Sequence, residues 1–505
     1  MPQPWWRSAT IYQIYPRSFA DGDGDGVGDL RGITSRLEHV RDLGADAVWL
    51  SPVFRSPMAD FGYDVSDYTD IDPIFGTLDD MDALIVRAHD LGLRVLLDFV
   101  PNHSSDRHPW FEESRASLDN PRRDWYVWRP GDAPPNNWIA NFGDQRPAWT
   151  RDERTGEWYL HSFLPEQPDL NWDNPDVRAA MHDVLRFWLR RGVDGFRIDV
   201  AHRIGKDPEL GDNEPGRRHD EDWPSTRERF AEIRAVLEEF DGDRVAVGEV
   251  YLLDQRALAK YVTSGDGLHM AHNFFFLNLP WSAVEVRAAV DEFEELTTNG
   301  GWPAWCLNNH DHSRTATRYG LARARVAAVL LLTLRGTPFV YQGEELGLTD
   351  AHIPHEAVVD VDGRDPERAP MPWAPPSVAG AVAGFGDGGD PWLPVHQDAE
   401  RLAVEAQKDD PASSLSLYRS LLALRRREPA LTVGAYRSLD AAPDVFAYVR
   451  EHEGRRLAVV LNFAPFPRAL PDDVGDGELL LSTHSEPLRD ELAADEGRVV
   501  LLGGA

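Results

Sequence analysis

The sequence predicts a (β/α)8 TIM barrel with a small domain inserted after the third strand and an all-β sandwich domain at the C-terminal end. Three observations lead there. Short apolar runs alternate with helical patterns through most of the 505 residues. Carboxylates and histidines collect where the apolar runs end, which is where such barrels carry their chemistry. Beyond Pro429 the period changes to two, with no helical pattern between the runs.

Taken in order, the strands read as Thr10–Tyr15, Ala47–Leu50, Val95–Val100, Gly195–Val200, Val245–Val250, His269–Phe276, Ala304–Leu307 and Phe339–Tyr341. Helical spacing marks Ile33–Leu43, Leu78–Leu91, Val177–Leu189, Ser225–Phe240 and Ala322–Leu334. Residues 1–103 and 173–428 then form the barrel. Residues 104–172, rich in Pro, Trp, Asn and Asp, form the inserted domain. A second long connection, 347–411, follows the eighth strand, and loops of that length are usually functional. After a helix at Leu415–Arg427, the runs Val445–Val449, Leu457–Leu461, Glu478–Leu481 and Val499–Leu502 make residues 429–505 a separate β domain.

Composition narrows the function. There are 52 basic and 85 acidic side chains, a net charge of -33. That field repels nucleic acid and anionic membrane, and leaves a neutral small molecule as the partner. The lone Cys306 excludes an internal disulfide. Met1–Thr10 carries no apolar leader, and no run approaches the roughly 18 apolar residues of a membrane span. A cytoplasmic protein, monomer or homodimer, is expected. The 17 tryptophans and 13 tyrosines suit a binder of sugar rings.

The chemistry centres on Gly192–His202. Phe196, Ile198 and Val200 alternate with Arg197, Asp199 and Ala201, so Arg197 and Asp199 share a strand face about 7 Å apart. The pair reads either as a structural ion pair or as a carboxylate kept ionised for attack. Glu249 ends the apolar run Val245-Ala-Val-Gly-Glu. Burial there should raise its pKa and make it the general acid. Asp311 follows His310 at another strand end. An ionised Asp beside a protonated Glu is what retaining glycoside hydrolysis needs, and a third carboxylate can stabilise positive charge on the sugar. Asp98 reads as a residue that holds the barrel mouth together. His39, His89 and the His352/His355 pair read as surface or loop residues.

A second constellation is Asp21-Gly-Asp-Gly-Asp-Gly-Val-Gly-Asp29. Carboxylates of Asp21, Asp23, Asp25 and Asp29, with the backbone carbonyl of Val27, have the oxygen spacing of a calcium loop. Position twelve is Gly32 and no flanking helix pair is evident, so this is not an EF-hand.

Four motifs in order, Asp98-Phe-Val-Pro-Asn-His103, Gly195-Phe-Arg-Ile-Asp199, Gly248-Glu-Val250 and Asn309-His-Asp311, carry a resemblance over nearly the whole chain. The sequence resembles the α-amylase superfamily, glycoside hydrolase family 13. Tyr12-Gln-Ile-Tyr-Pro-Arg-Ser-Phe19, Gln167-Pro-Asp-Leu-Asn171 and Gly336-Thr-Pro-Phe-Val-Tyr-Gln-Gly-Glu-Glu345 point to its bacterial α-glucosidase and oligo-1,6-glucosidase branch. The resemblance implies Asp199 as nucleophile, Glu249 as acid/base and Asp311 as transition-state stabiliser. It implies that His103 and His310 bind sugar hydroxyls and that Arg197 orients the nucleophile. It implies that Asp60 and Tyr63 close a pocket round the non-reducing end, and that Arg368 helps bind the terminal glucose. Phe142 and Phe163 read equally as aromatic walls or as core of the inserted domain. The resemblance also implies Ca2+ or Mg2+ in the acidic loop, away from the pocket, and no organic cofactor.

The expected activity is release of α-glucose from the non-reducing end of short α-glucosides such as maltose. A transglucosidase, or a sucrose or maltose isomerase, would share the same glucosyl-enzyme and the same motifs. A non-catalytic barrel relative would need none of the three carboxylates. Val200 follows the nucleophile and should shape the leaving-sugar site; Val there resembles the α-1,6 enzymes. The longer string through Ala201-His202 is similar to actinobacterial α-glucosidases that favour α-1,4 bonds, so α-1,4 cleavage with some α-1,6 activity is expected.

Overall fold

The structure is a computed structural model and describes residues 3–142, 146–475 and 477–503. Met1 and Pro2, part of the leader reading, lie outside the described residues. Eight parallel strands form the central sheet: β1 (Ile11–Ile14), β2 (Ala47–Leu50), β3 (Arg94–Phe99), β4 (Gly195–Ile198), β5 (Val245–Gly248), β6 (Met270–Ala271), β7 (Ala304–Cys306) and β8 (Thr337–Tyr341). Their order is β6-β5-β4-β3-β2-β1-β8-β7, and a parallel bridge between His272 and Ala304 joins the two ends. The sheet is thereby closed into a barrel. Ile11, Ala47, Trp49, Leu96, Val247, Met270, Cys306 and Phe339 pack in one buried cluster, so the barrel is filled by side chains. Cys306 is an inert part of that filling.

The eight surrounding helices are α1 (Leu30–Leu43), α2 (Leu78–Asp90), α3 (Pro175–Arg190), α4 (Pro224–Glu238), α5 (Gln255–Thr263), α6 (Ala283–Leu296), α7 (Leu321–Thr333) and α8 (Ser414–Arg427). In α1 the residues Leu30, Ile33, Leu37 and Val40 recur at helical spacing and are buried against the barrel. The Asp29 side chain caps it by accepting from Gly32 N, and Gly44 ends it at φ 106°. Helix α7 differs, because Val326–Thr333 are buried on every side. Its outer face is covered by the C-terminal domain.

That domain is a five-stranded antiparallel sheet, β9 (Ala435–Ser438), β10 (Val445–His452), β11 (Arg455–Asn462), β12 (Glu478–Ser482) and β13 (Gly497–Leu501), in the order β9-β10-β11-β13-β12. Phe446, Tyr448, Leu457, Val459 and Leu461 face the barrel and join its core. The alternate residues Val445, Ala447, Val449, Ala458 and Val460 form a second core on the other face. Leu492, from a two-stranded sheet of Arg468–Ala469 and Glu491–Leu492, packs there, making the domain two-layered.

Two buried arginines bind this domain to the barrel. Arg450 donates to the carbonyls of Thr333, Leu431, Thr432 and Gly434. Arg425 donates to those of Leu332, Leu431 and Gly336. Among these partners there is no carboxylate. Burial lowers Arg425 to about 10 and Arg450 to about 9. The carbonyls at the end of α7 carry the negative end of its dipole, which favours two cations there.

Between β3 and α3 lie a short helix, Pro109–Ser114, and a three-stranded antiparallel sheet of Trp128–Arg129, Trp149–Arg151 and Trp158–Leu160. Trp138 and Trp149 head its own small core. One expected strand is corrected. The run His269–Phe276 holds a strand only at Met270–Ala271, and Phe274–Leu277 is helical. The Asn273 side chain accepts from Phe276 N at 3.0 Å and starts that helix. Among the described residues no helix is long and apolar enough to cross a membrane.

Candidate active site

The ends of β2, β3, β4, β5 and β7 converge on a cavity of 660 Å³. Asp60, Tyr63, His103, Phe142, Phe163, Asp199, Val200, Glu249 and Asp311 all line it. Arg197, His310 and Arg368 stand behind that lining, each 1% exposed.

Arg197 organises the centre. Its Nη1 donates to Asp199 Oδ1 at 2.7 Å and to Asp98 Oδ1 at 2.9 Å, and its Nη2 donates to Glu249. The sequence paired it with Asp199 alone, so the finding differs in kind: one guanidinium serves three carboxylates. Asp98 is therefore part of the centre, held also by Trp49 Nε1 and Tyr63 OH, both at 3.2 Å. Burial pushes Asp98 up to about 6. Burial also raises Asp199 well above the ordinary carboxylate range, against the pull of Arg197. Desolvation is stronger at Asp199 than the Arg197 pairing suggested, because the same cation is shared. The Glu249 side chain is the more exposed of the two, 13% against 7%.

Val200 sits at φ 33°, ψ 46°, left-handed backbone that a β-branched residue rarely adopts. That turn aims its N–H at Glu249 Oε2, 3.1 Å away. It also turns the chain out of β4 immediately after Asp199.

Asp311 is the opposite electrostatic case. Burial acts to raise its carboxyl, but His310, Arg364 and Arg368 outweigh it and hold it far below the usual range. Arg368 Nη2 and Arg364 Nη1 reach Asp311 Oδ1 at 2.9 and 3.1 Å. His310 Nε2 lies 3.2 Å from the other oxygen and 2.7 Å from Tyr63 OH. Its ring stacks on Tyr63 with an interplanar angle of 3°.

Arg364 was missing from the sequence reading. It lines the cavity and donates to Asp60 at 2.8 Å, to Asp360 at 2.7 Å and to Asp311, over the Phe142 ring. Arg368, its neighbour one turn on, points inward and braces the loop through His310 O at 2.7 Å. The 3-10 turn Asp365–Arg368 decides which of the two arginines faces the cavity. Opposite, Gln167 donates to Asp60 at 3.1 Å and meets His103 Nε2 at 3.1 Å. Burial lowers His103 to about 4, so it is a neutral ring at neutral pH. Phe163 packs on His103 with centroids 5.1 Å apart, and on Phe142 at 5.4 Å. The mouth carries Tyr251, Leu252 and Leu253 on one side and Arg203, Arg218 and Glu221 on another, none of them foreseen. His39, expected at the surface, is half-buried and paired with Glu345 at 3.0 Å.

Residues 13–434 match the family model for the α-amylase catalytic domain. The chain belongs to the α-amylase family. It is 44% identical to a probable α-glucosidase of Rhizobium meliloti, over 91% of this chain and 89% of that one. It is 38% identical to an oligo-1,6-glucosidase of Parageobacillus thermoglucosidasius, over 97% of each. Among solved structures, a trehalulose synthase from Pseudomonas mesoacidophila superposes with a TM-score of 0.93 at 34% identity, covering 99% of this chain and all of that one. An α-glucosyl transfer enzyme superposes with a TM-score of 0.91 at 39% identity over the whole of both chains. This α-amylase family member falls in the α-glucosidase branch and is a glycoside hydrolase acting on a small sugar substrate.

The acidic loop lies outside the cavity lining. Asp21, Asp23 and Asp29 bring carboxylate oxygens within 4.8 Å of one another. Asp25 stands apart from that group and accepts from Val27 N at 2.8 Å. Three hard oxygen donors fit Ca2+ or Mg2+. The loop is laced to the connection after β8 by Asp21 N to Phe385 O, Gly389 N to Gly24 O and Trp392 N to Gly26 O, at 2.7–2.9 Å.

Proposed function

We propose that this chain is an exo-acting, retaining α-glucosidase that frees α-glucose from short α-1,4-glucosides such as maltose, with some α-1,6 activity. One observation carries the reading: Asp199 and Glu249 are bonded to the two Nη atoms of one guanidinium, at the wall of a cavity whose inner end is ringed by Asp60, Tyr63, His103 and Arg364. Carboxylates set that close belong to retaining rather than inverting chemistry. Such an inner end accommodates one terminal sugar ring.

In this mechanism the buried Asp199 and the half-buried Glu249 work as a pair that carries one proton, as retaining hydrolysis requires. Substrate entry separates them: Glu249 gives the proton to the leaving oxygen and Asp199, stabilised by Arg197, attacks the anomeric carbon. Asp311, kept ionised by Arg364 and Arg368, faces the positive charge on the ring. Glu249 then takes a proton from water, which releases the sugar with its configuration retained. Asp21, Asp23 and Asp29 would hold a structural Ca2+ or Mg2+.

Transfer to a sugar acceptor is the second reading. Tyr251 and Leu253, 40% and 53% exposed at the mouth, offer an apolar platform for an acceptor in place of water. The test is product analysis on maltose, isomaltose, sucrose and trehalose, with kcat/KM on each. Glucose should dominate, with maltose ahead of isomaltose. A difference of about 1–3 kcal/mol is all that a residue such as Val200 can impose. Strong preference for isomaltose overturns the linkage; rearranged disaccharides as main products overturn hydrolysis.

A further inference from the structure

We propose that Arg17 is a positioning residue for the sugar pocket, a clamp that holds the Asp60–Tyr63 turn in place from behind. Its guanidinium lies 5.2 Å from the Phe61 ring centroid and 4.8 Å from that of Trp392. The two rings themselves are 5.6 Å apart. Nε and Nη1 of Arg17 are buried with no hydrogen-bond partner. Among the described residues it forms no salt bridge. Asp72 and Asp25 attract its charge without bonding to it, so the aromatic faces are what hold the half-buried guanidinium in place.

What the clamp holds explains its place. Phe61 has φ 47°, left-handed backbone in a bulky residue, so the turn is strained and needs support from its surroundings. Asp60 and Tyr63, on either side of that strain, both line the cavity. The other jaw is fixed independently: Trp392 Nε1 donates to Ser18 Oγ at 3.0 Å and Trp392 N to Gly26 O at 2.9 Å. Arg17 thus joins the connections after β1, β2 and β8 at the inner end of the pocket. A carboxylate partner at this point would repel the adjacent Asp60. A planar guanidinium can lie against two rings at once, which a lysine ammonium cannot.

The inference rests on the reading of Asp60 and Tyr63 as the wall round the terminal glucose. The test compares Arg17→Met, Arg17→Lys, Trp392→Leu and Asp60→Asn with the parent chain. The readouts are kcat and KM on p-nitrophenyl α-glucoside, competitive inhibition by glucose, and Tm. In both Arg17 variants, KM and the glucose inhibition constant should rise together by about tenfold, while kcat stays within about twofold. A role in stability alone would lower Tm and leave both constants unmoved, and that result in a folded Arg17→Met chain overturns the proposal. Should the Arg17 variants fail to fold, Trp392→Leu decides it by the same two constants. Asp60→Asn separates the two ideas: if it leaves glucose inhibition unchanged, the pocket reading fails, whatever Arg17 does.

Discussion

At the scale of single residues, the centre turns on a shared cation. Asp199→Asn should fold normally, keep its bond to Arg197 and lose activity by a factor on the order of 10⁴ or more, because an amide cannot form the glycosyl ester. A variant that retains a tenth of parental kcat would sink the assignment. The positions of Asp199, Glu249 and Asp311 were legible because each ends an apolar run, and the end of a barrel strand is a predictable place. Partnership was less legible. Period two put Arg197 beside Asp199, but only the closed barrel brings β3 and β5 to either side of β4, and so Asp98 and Glu249 to the same guanidinium. Arg364 and Arg368 lie within one short string, and nothing in that string says which turns outward. The left-handed Val200 is likewise a product of tertiary contacts, since a valine gives no local sign of that conformation.

Among the elements, β8 runs into a polar knot that the mechanism does not use. Glu344, next after its closing turn, accepts from Tyr418 OH of α8 at 2.9 Å and from Tyr341 N at 3.1 Å. Burial pushes its carboxyl up to about 7. A carboxyl raised in the fold binds its proton more tightly there than in the unfolded chain. Its contribution is fully present below the unfolded value of about 4.3 and is lost as pH rises through about 7. Glu344→Gln, which keeps the shape and removes the ionisation, should therefore raise Tm at pH 8 by about 2–4 °C and change it little at pH 5. Equal shifts at both pH values would contradict the burial argument. Element types followed from periodicity wherever a run was long enough. The sixth strand failed because Phe274-Phe-Phe-Leu277 is apolar at every spacing, and one polar side chain before it, the Asn273 cap, settles strand against helix.

Across the whole molecule, the acidic loop and the C-terminal sheet are the two outlying supports. Chelation should lower Tm by a few degrees, with Ca2+ or Mg2+ restoring it by mass action on the folded state. A melting curve indifferent to chelator would remove the metal from the account of stability. The two-layered C-terminal domain was legible from its strict alternation, but its grip on the barrel was not. Arg425 and Arg450 look like ordinary surface charges in the sequence, and their burial depends on the fully buried second half of α7, Val326–Thr333. That grip sets a condition on how the chain is made. The last carbonyl of α7, that of Thr333, finds its donor in Arg450 of β10, so translation must pass residue 450 before the seventh helix of the barrel is fully satisfied. On a ribosome, where N-terminal units fold first, this barrel stays unfinished until a strand of the C-terminal domain arrives to latch it.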